Sequence, residues 1–312
     1  MEIVHSFEAC QKNNLRPAAV AMGMFDGLHA GHRAVIAAAA EKAKQAGGSC
    51  MVLTFSHHPM AGIDPCRVPA QLLQIKERNE ILAQWGVSCI LELSPTEDIL
   101  HMSPETFLNT VKAVLSPSIL AAGENFTFGY RGAGTMETLA KWCEAQGITL
   151  CRTPLERMDG GRPVSSTRIR EEIQRGNLEL ARQLLGRPFR ICGEVVHGDK
   201  RGRLIGFPTA NVLIPASFAV PPDGVYAAQV HIDGSVWNGV ANIGDNPTFA
   251  NQYHRLEVFL LDFHQSIYGK YIRVDILKAI RPEERFSSVD ALVEQMHRDV
   301  DAAAAYLKQY QE

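Results

Sequence analysis

Up to Gly186 this chain alternates apolar runs of strand length with helical patterns, and beyond Gly186 the alternation stops. Strand-like runs fall at residues 18–22, 50–55, 88–93, 118–122 and 148–152. Helical patterns fill the intervals at 32–45, closed by Gly47-Gly48, at 72–85, closed by Gly86, at 104–115, and at 134–146, closed by Gly147. Ser103-Pro104-Glu105 supplies a cap followed by proline at the first helical position. Such alternation predicts an α/β domain, a parallel sheet covered by helices on both faces. Ligands of such sheets sit at the carboxyl ends of the strands.

Two short helical patterns, 168–175 and 178–185, lead to Gly186-Arg187-Pro188. Strand-like runs then follow at 189–197, 210–214, 225–232, 236–243, 254–261 and 272–280, separated by turn clusters such as Pro221-Pro222-Asp223-Gly224 and Asp233-Gly234-Ser235. This pattern predicts a small antiparallel barrel. A helix over 289–310 carries Leu292, Met296, Val300, Ala303 and Leu307 at core-facing spacing and is expected to pack on that barrel. The expected domains are therefore 1–185 and 186–312.

A chain of 312 residues accommodates two domains at ~100–200 residues each. A net charge of −3 without a long basic run speaks against a nucleic-acid partner. No apolar stretch reaches the ~18 residues of a membrane helix, and Glu2, His5 and Glu8 interrupt any apolar leader. Seven cysteines without a Cys-x-x-Cys pair read as reduced, mostly buried thiols of a cytoplasmic protein.

The run at 18–22 passes through Gly23-Met24-Phe25-Asp26-Gly27-Leu28-His29-Ala30-Gly31-His32 into a strong helix former. His29 and His32, three residues apart, share one face of a first helical turn. Unbonded backbone N–H groups and the positive end of the helix dipole favour an anion there, and the glycines let a phosphate approach the backbone. The same residues also fit a metal half-site or two surface histidines. No Gly-Lys-Ser/Thr follows, so this is not a Walker A loop. Further on, Ser165, Ser166 and Thr167 with Arg168 and Arg170 precede a helix, a set that suits phosphate or a simple N-cap. In the second half, Gly198-Asp199-Lys200-Arg201-Gly202-Arg203-Leu204-Ile205-Gly206-Phe207-Pro208-Thr209-Ala210-Asn211 combines glycines with basic residues, as a phosphate-covering loop does. Thr209 and Asn211, two apart on a strand, face one side and offer the neutral oxygens that Mg²⁺ accepts. A basic hairpin with an edge strand is the alternative.

These motifs resemble two families. The segment through His29 and His32, with Gly123-Glu124-Asn125-Phe126-Thr127-Phe128-Gly129 and the Ser165–Arg170 element, is similar to flavin adenylyltransferases of the HxGH nucleotidyltransferase superfamily. Gly206-Phe207-Pro208-Thr209-Ala210-Asn211, followed by Asp223-Gly224-Val225-Tyr226, Asn242-Ile243-Gly244, Pro247-Thr248-Phe249, Leu256-Glu257-Val258 and Tyr268-Gly269-Lys270, is similar to riboflavin kinases. The whole resembles the prokaryotic bifunctional riboflavin kinase/FAD synthetases. That resemblance implies a Rossmann-like nucleotidyltransferase domain joined to a kinase barrel. It implies two reactions: riboflavin and ATP give FMN and ADP, then FMN and ATP give FAD and pyrophosphate.

The resemblance also implies roles. Glu257 matches the kinase's catalytic base. Gly198, Lys200, Gly202, Arg203, Gly206, Pro208, Thr209 and Asn211 would meet ATP, with Mg²⁺ on Thr209 and Asn211. In the adenylyltransferase, Gly23, Phe25, Asp26, Gly27, His29, Gly31 and His32 would meet the triphosphate. Ser165, Ser166, Thr167, Arg168 and Arg170 would lie on its other side, and Asn125 would position a phosphate or the flavin. Thr127 stands where many members carry Arg, Ser56-His57-His58-Pro59 replaces the usual Asp-Pro-His-Pro, and Gly244-Asp245-Asn246-Pro247 is a variant turn. Three other readings remain: another cytidylyl- or adenylyltransferase fused to a kinase, a single surviving activity, and a flavin-binding regulator. Retention of His29, His32, Thr209, Asn211 and Glu257 argues against the regulator.

Overall fold

The alternating half folds around a parallel sheet, in a computed structural model that describes residues 1–158, 160–198, 201–245 and 253–310. Its elements are β1 (Glu2–Val4), α1 (Phe7–Lys12), β2 (Ala19–Met22), α2 (Ala30–Gln45), β3 (Cys50–Phe55), α3 (Ile75–Gln84), β4 (Cys89–Leu93), α4 (Glu97–Leu100), α5 (Pro104–Leu115), β5 (Ile119–Gly123), α6 (Met136–Gln146) and β6 (Thr149–Thr153). The strand order β1-β4-β3-β2-β5-β6 is parallel throughout. The five expected strands are present. The edge strand β1 and helix α1 were not anticipated, because three and six residues are too short to show a period. Ser103 caps α5 as expected, its Oγ accepting from Thr106 N at 3.1 Å.

Apolar strand positions bury completely: Val20, Ala21, Val52, Ile90, Leu91, Leu120 and Ala121 are all 0% exposed. The neighbours of β2 are β3 on one side and β5 on the other. The chain turns opposite ways from this strand pair, which opens a crevice at the carboxyl ends of β2 and β5.

Elements β7 (Arg157–Met158) and β8 (Arg162–Pro163) form a short ribbon. The first compact unit then ends at Ser165, and the second comprises Ala70–Leu73 with Ser166–Glu312. Helices α7 (Ser166–Gln174) and α8 (Leu178–Leu185) thus cluster with the barrel, whereas the sequence reading put them in the first domain. The reason is apolar: Leu178, Ala181, Leu184 and Leu185 of α8 are buried, and this helix packs on the barrel strands. Residues 70–73 join by backbone bonds, Gln71 N to Ser217 O at 2.7 Å and Ala219 N to Gln71 O at 2.8 Å.

The barrel consists of β9 (Phe189–Glu194), the short α9 (Arg201–Leu204), β10 (Thr209–Pro215), β11 (Gly224–Ile232), β12 (Ser235–Asp245), β13 (Tyr253–Leu260) and β14 (Tyr271–Pro282). Its antiparallel order is β10-β13-β12-β11-β14-β9. The end strands approach one another where Val196 N donates to Asn211 O at 2.9 Å, so the barrel is nearly closed. Helix α10 (Val289–Tyr310) packs on it through Ala303 and Leu307, both 0% exposed. Leu292, Met296 and Val300 are only half-buried. Asp299, absent from the expected stripe, is buried because the Arg281 guanidinium grips it, Nε and Nη2 each at 2.9 Å.

The cysteines form no disulfide, and Cys10, Cys50, Cys89, Cys143 and Cys192 are buried. Burial pushes the Cys50 thiol up to about 12. Among the described residues no helix is long and apolar enough to cross a membrane.

Candidate active sites

The first site grows from the carboxyl end of β2. Gly23 N donates to Leu53 O at 3.2 Å and Thr54 Oγ1 to Met24 O at 2.9 Å, so the loop leaves the sheet tied to β3. Phe25 and Leu28 take positive φ angles of 50° and 42°, and Gly27 takes 82°. Phe25 is 1% exposed and Leu28 0%, so burial of their side chains holds this backbone. The reversal delivers His29 to the N-cap of α2, where its Nδ1 accepts from His32 N at 3.3 Å.

That bond fixes a tautomer. A ring nitrogen that accepts carries no proton, so neutral His29 bears its hydrogen on Nε2 and presents a donor there. The His29 and His32 rings stack at 3.7 Å, and Phe25 meets His32 edge-on at 5.3 Å. A Cβ on Gly31 would lie 3.2 Å from His29 Cε1, and one on Gly23 would lie 3.0 Å from the Phe25 ring. The glycines therefore leave room for these rings. Asp26 is half-buried within the same loop.

Asn125 is exposed just beyond β5, on the neighbouring strand of the crevice. Its Oδ1 lies 3.4 Å from where a Cβ on Gly123 would sit. Thr127 is exposed in the same segment. His57 and His58 have local partners: His57 Nδ1 pairs with Ser56 Oγ at 2.8 Å, and His58 Nδ1 accepts from Met60 N at 3.2 Å as the cap of a short turn. Ser165 closes the first unit, while Ser166, Thr167, Arg168 and Arg170 open α7 in the second. There Thr167 is exposed and Arg168 is 5% exposed, and Arg170 Nε donates to Ala70 O at 2.5 Å.

The second site is laid out by strand register. Asn211 of β10 pairs with Glu257 of β13, and Glu257 pairs with Asn242 of β12. Paired positions share a face, so Asn211, Glu257 and Asn242 form one row, with Thr209 two residues along β10. The intervening Leu256 and Val258 point to the core at 0% exposure. Glu257 therefore lies on the polar face of an amphipathic strand, and Arg255 Nη1 donates to its Oε1 at 3.2 Å.

Asn211 is 6% exposed, and among the described residues its buried Oδ1 has no hydrogen-bond partner. A Cβ on Gly198 would come within 2.6 Å of that oxygen, so only glycine lets the preceding loop cover it. That amide oxygen, with the Thr209 hydroxyl two residues along the same strand face, is a donor set that fits a hard cation such as Mg²⁺. Gly202 is kept small by the Phe207 carbonyl, and Phe207 N donates to Gly202 O at 2.8 Å. Gly206 turns with φ of 90°. Phe207 itself packs edge-on against Phe259 and His297 at 5.2 and 5.0 Å. Arg203 and Pro208 are exposed. Lys200 and the 247–249 motif lie outside the described residues. Register brings Asn242, within the Asn242-Ile243-Gly244 motif, to Glu257, and Arg255, two residues away on the same strand, carries no motif signal of its own.

Comparison with known proteins matches the chain in two parts. Residues 11–168 match the FAD synthetase family and residues 185–307 the riboflavin kinase family. The chain is 37% identical over 299 residues to a bifunctional riboflavin kinase/FMN adenylyltransferase of Bacillus subtilis, covering 95% of this chain and 94% of that protein. An Escherichia coli protein of the same description is 38% identical over 280 residues, covering 89% of each. Among solved structures, a macrolide-efflux protein from Streptococcus pneumoniae is 31% identical with a TM-score of 0.86, covering 97% of this chain and 99% of that one.

Proposed function

The chain belongs to the bifunctional riboflavin kinase/FMN adenylyltransferase family, and we propose that Glu257 with Thr209 and Asn211 serves its kinase reaction and His29 with His32 its adenylyl transfer. It phosphorylates riboflavin with ATP to FMN and adenylylates FMN with a second ATP to FAD, releasing pyrophosphate.

The two reactions ask different things of the protein. In the first, the nucleophile is a primary alcohol, un-ionised at pH 7, whose proton needs an acceptor as phosphoryl transfer proceeds. Glu257 takes that proton. The observation that carries this assignment is the row Asn211–Glu257–Asn242, which sets a carboxylate beside the orphaned Asn211 oxygen. Arg255 holds the carboxylate in place. Thr209 and Asn211 would hold Mg²⁺, whose contribution when bound is to neutralise phosphate charge. Gly198, Gly202 and Gly206 let the loop close over that face, and Arg203 is a candidate phosphate contact.

In the second reaction the nucleophile is the FMN phosphate, already anionic because its second pKa is ~6. No base is required, so catalysis reduces to positioning and charge stabilisation. His29 donates from Nε2 toward phosphate oxygen, and His32, stacked on it, adds a second imidazole. Gly23, Phe25, Asp26, Gly27 and Gly31 shape the loop, and Asn125 borders the crevice. For Ser165, Ser166, Thr167, Arg168 and Arg170 the support is the family motif alone. The thiols, reduced and mostly buried, fit a cytoplasmic enzyme.

The test is Glu257→Gln, which keeps the shape but cannot accept a proton. With riboflavin, ATP and Mg²⁺, FMN production should fall ~10²–10⁴-fold, while FAD formation from supplied FMN persists. Full kinase activity in that variant would remove Glu257 from the chemistry.

A further inference from the structure

The loop that carries the histidines adopts backbone that its bulky residues disfavour. Phe25 and Leu28 are left-handed at φ of 50° and 42°, a region L side chains seldom occupy. Something must hold Met24 and Phe25 in place while the chain reverses into α2. Thr54 meets that need. Its side chain is 0% exposed, and its Oγ1 donates to Met24 O at 2.9 Å, one residue before Phe25.

The anchor is itself immobile. Thr54 pairs in register with Glu92 of β4, and the carboxylate of Glu92 is bonded to Arg78, which is 5% exposed. Arg78 Nη1 also donates to Phe55 O at 3.2 Å, fixing the carboxyl end of β3 next to Thr54. His5 Nδ1 stands 3.3 Å from the other Glu92 oxygen. From the loop side, Phe25 touches the His32 ring and His32 stacks on His29. A continuous chain of contacts thus runs from the Thr54 hydroxyl to both imidazoles.

We infer that Thr54 is a positioning residue for adenylyl transfer, its hydroxyl setting the left-handed turn that aims His29 and His32. This rests on the reading of the two histidines as phosphate ligands. Thr54→Val keeps the β-branched shape and removes the donor, so the turn relaxes and the imidazoles shift. A displacement of about 1 Å is enough for a loss of up to ~10²-fold. The effect should fall on the transition state more than on substrate binding.

The experiment uses the full-length protein and steady-state FAD formation from FMN and ATP. Thr54→Val should lower kcat about 10- to 100-fold, with KM for FMN and ATP changed less than about threefold. Thr54→Ser, which keeps the hydroxyl, should retain at least about half the wild-type kcat. Added to His29→Ala/His32→Ala, Thr54→Val should cost less than about twofold more, because it acts through those rings. A wild-type kcat in Thr54→Val, an equal loss in Thr54→Ser, or a full multiplicative loss in the histidine background would each overturn the inference. If Thr54→Val does not fold, Thr54→Ala decides in the same assays. A slow Thr54→Val beside a wild-type-like histidine double variant would instead reject the role given to the histidines.

Discussion

In the first unit two imidazoles hang on irregular backbone, held by two left-handed apolar residues and one threonine hydroxyl. In the second, Asn211, Glu257 and Asn242 take their places from the ladders of three neighbouring strands. A loop of the first kind places backbone N–H groups and rings where an already anionic nucleophile needs only alignment. A register of the second kind keeps the proposed base and the proposed cation-binding oxygen on one face, and slipping it by one residue would turn every side chain over. The loop is therefore sensitive to single hydrogen bonds. The sheet is sensitive mainly to the side chains themselves.

The largest expected effect belongs to the loop. His29→Ala with His32→Ala removes two charge-stabilising donors, each worth about 3 kcal/mol by comparison with oxyanion-hole deletions. FAD formation should fall at least ~10²-fold, and FMN should accumulate when riboflavin is supplied. A near wild-type rate of FAD synthesis, measured by separating the flavins, would make these histidines structural and dissolve the contrast between loop and sheet.

A smaller effect is expected at the β14 strand of the barrel. There Asp275 of β14 is 3% exposed, gripped by Arg190 Nε at 2.6 Å and Nη2 at 2.8 Å and by His231 Nε2 at 2.8 Å. Burial alone would raise its pKa, but the Arg190 and His231 bonds outweigh it and hold the carboxyl below the ordinary range. A depressed carboxylate stabilises the fold above its unfolded pKa of ~3.9 and loses that contribution as pH falls through the lower folded value. Asp275→Asn should cost about 2 kcal/mol at pH 7, less than a fully buried pair because Arg190 is partly exposed. The difference from wild type should shrink below about pH 4 in denaturant titrations. A constant difference down to pH 3 would show that packing, and not charge, is what the substitution removes.

Much of this was legible beforehand because strand and helix periods are local. The runs at 50–55 and 178–185 and the helix at 289–310 have the bounds that the pattern gives them. What escaped was tertiary. β1 is three residues long, and its pairing with β4 cannot be seen in Glu2-Ile3-Val4. The allegiance of α8 depends on which sheet its leucines meet, and amphipathicity alone does not say. Asp299 reads as a solvent residue until Arg281 is placed beside it. Among the site residues, His29, His32, Thr209, Asn211 and Glu257 stood out through motif and resemblance. Asn242 stood within a motif without a role until register set it beside Glu257, and Thr54 did not stand out, because a hydroxyl-to-carbonyl bond across thirty positions leaves no mark on neighbouring sequence.

If the two proposed sites work independently within one chain, each can be lost without the other, and a mixing experiment tests this. Glu257→Gln protein is combined with His29→Ala/His32→Ala protein, each deficient in one reaction, and supplied with riboflavin, ATP and Mg²⁺. FAD should appear in the mixture, after a lag while free FMN builds up, although neither protein alone makes it at a comparable rate. Absence of FAD from the mixture, with FMN accumulating and each protein folded, would contradict independent sites and show that one reaction depends on the other within the same molecule.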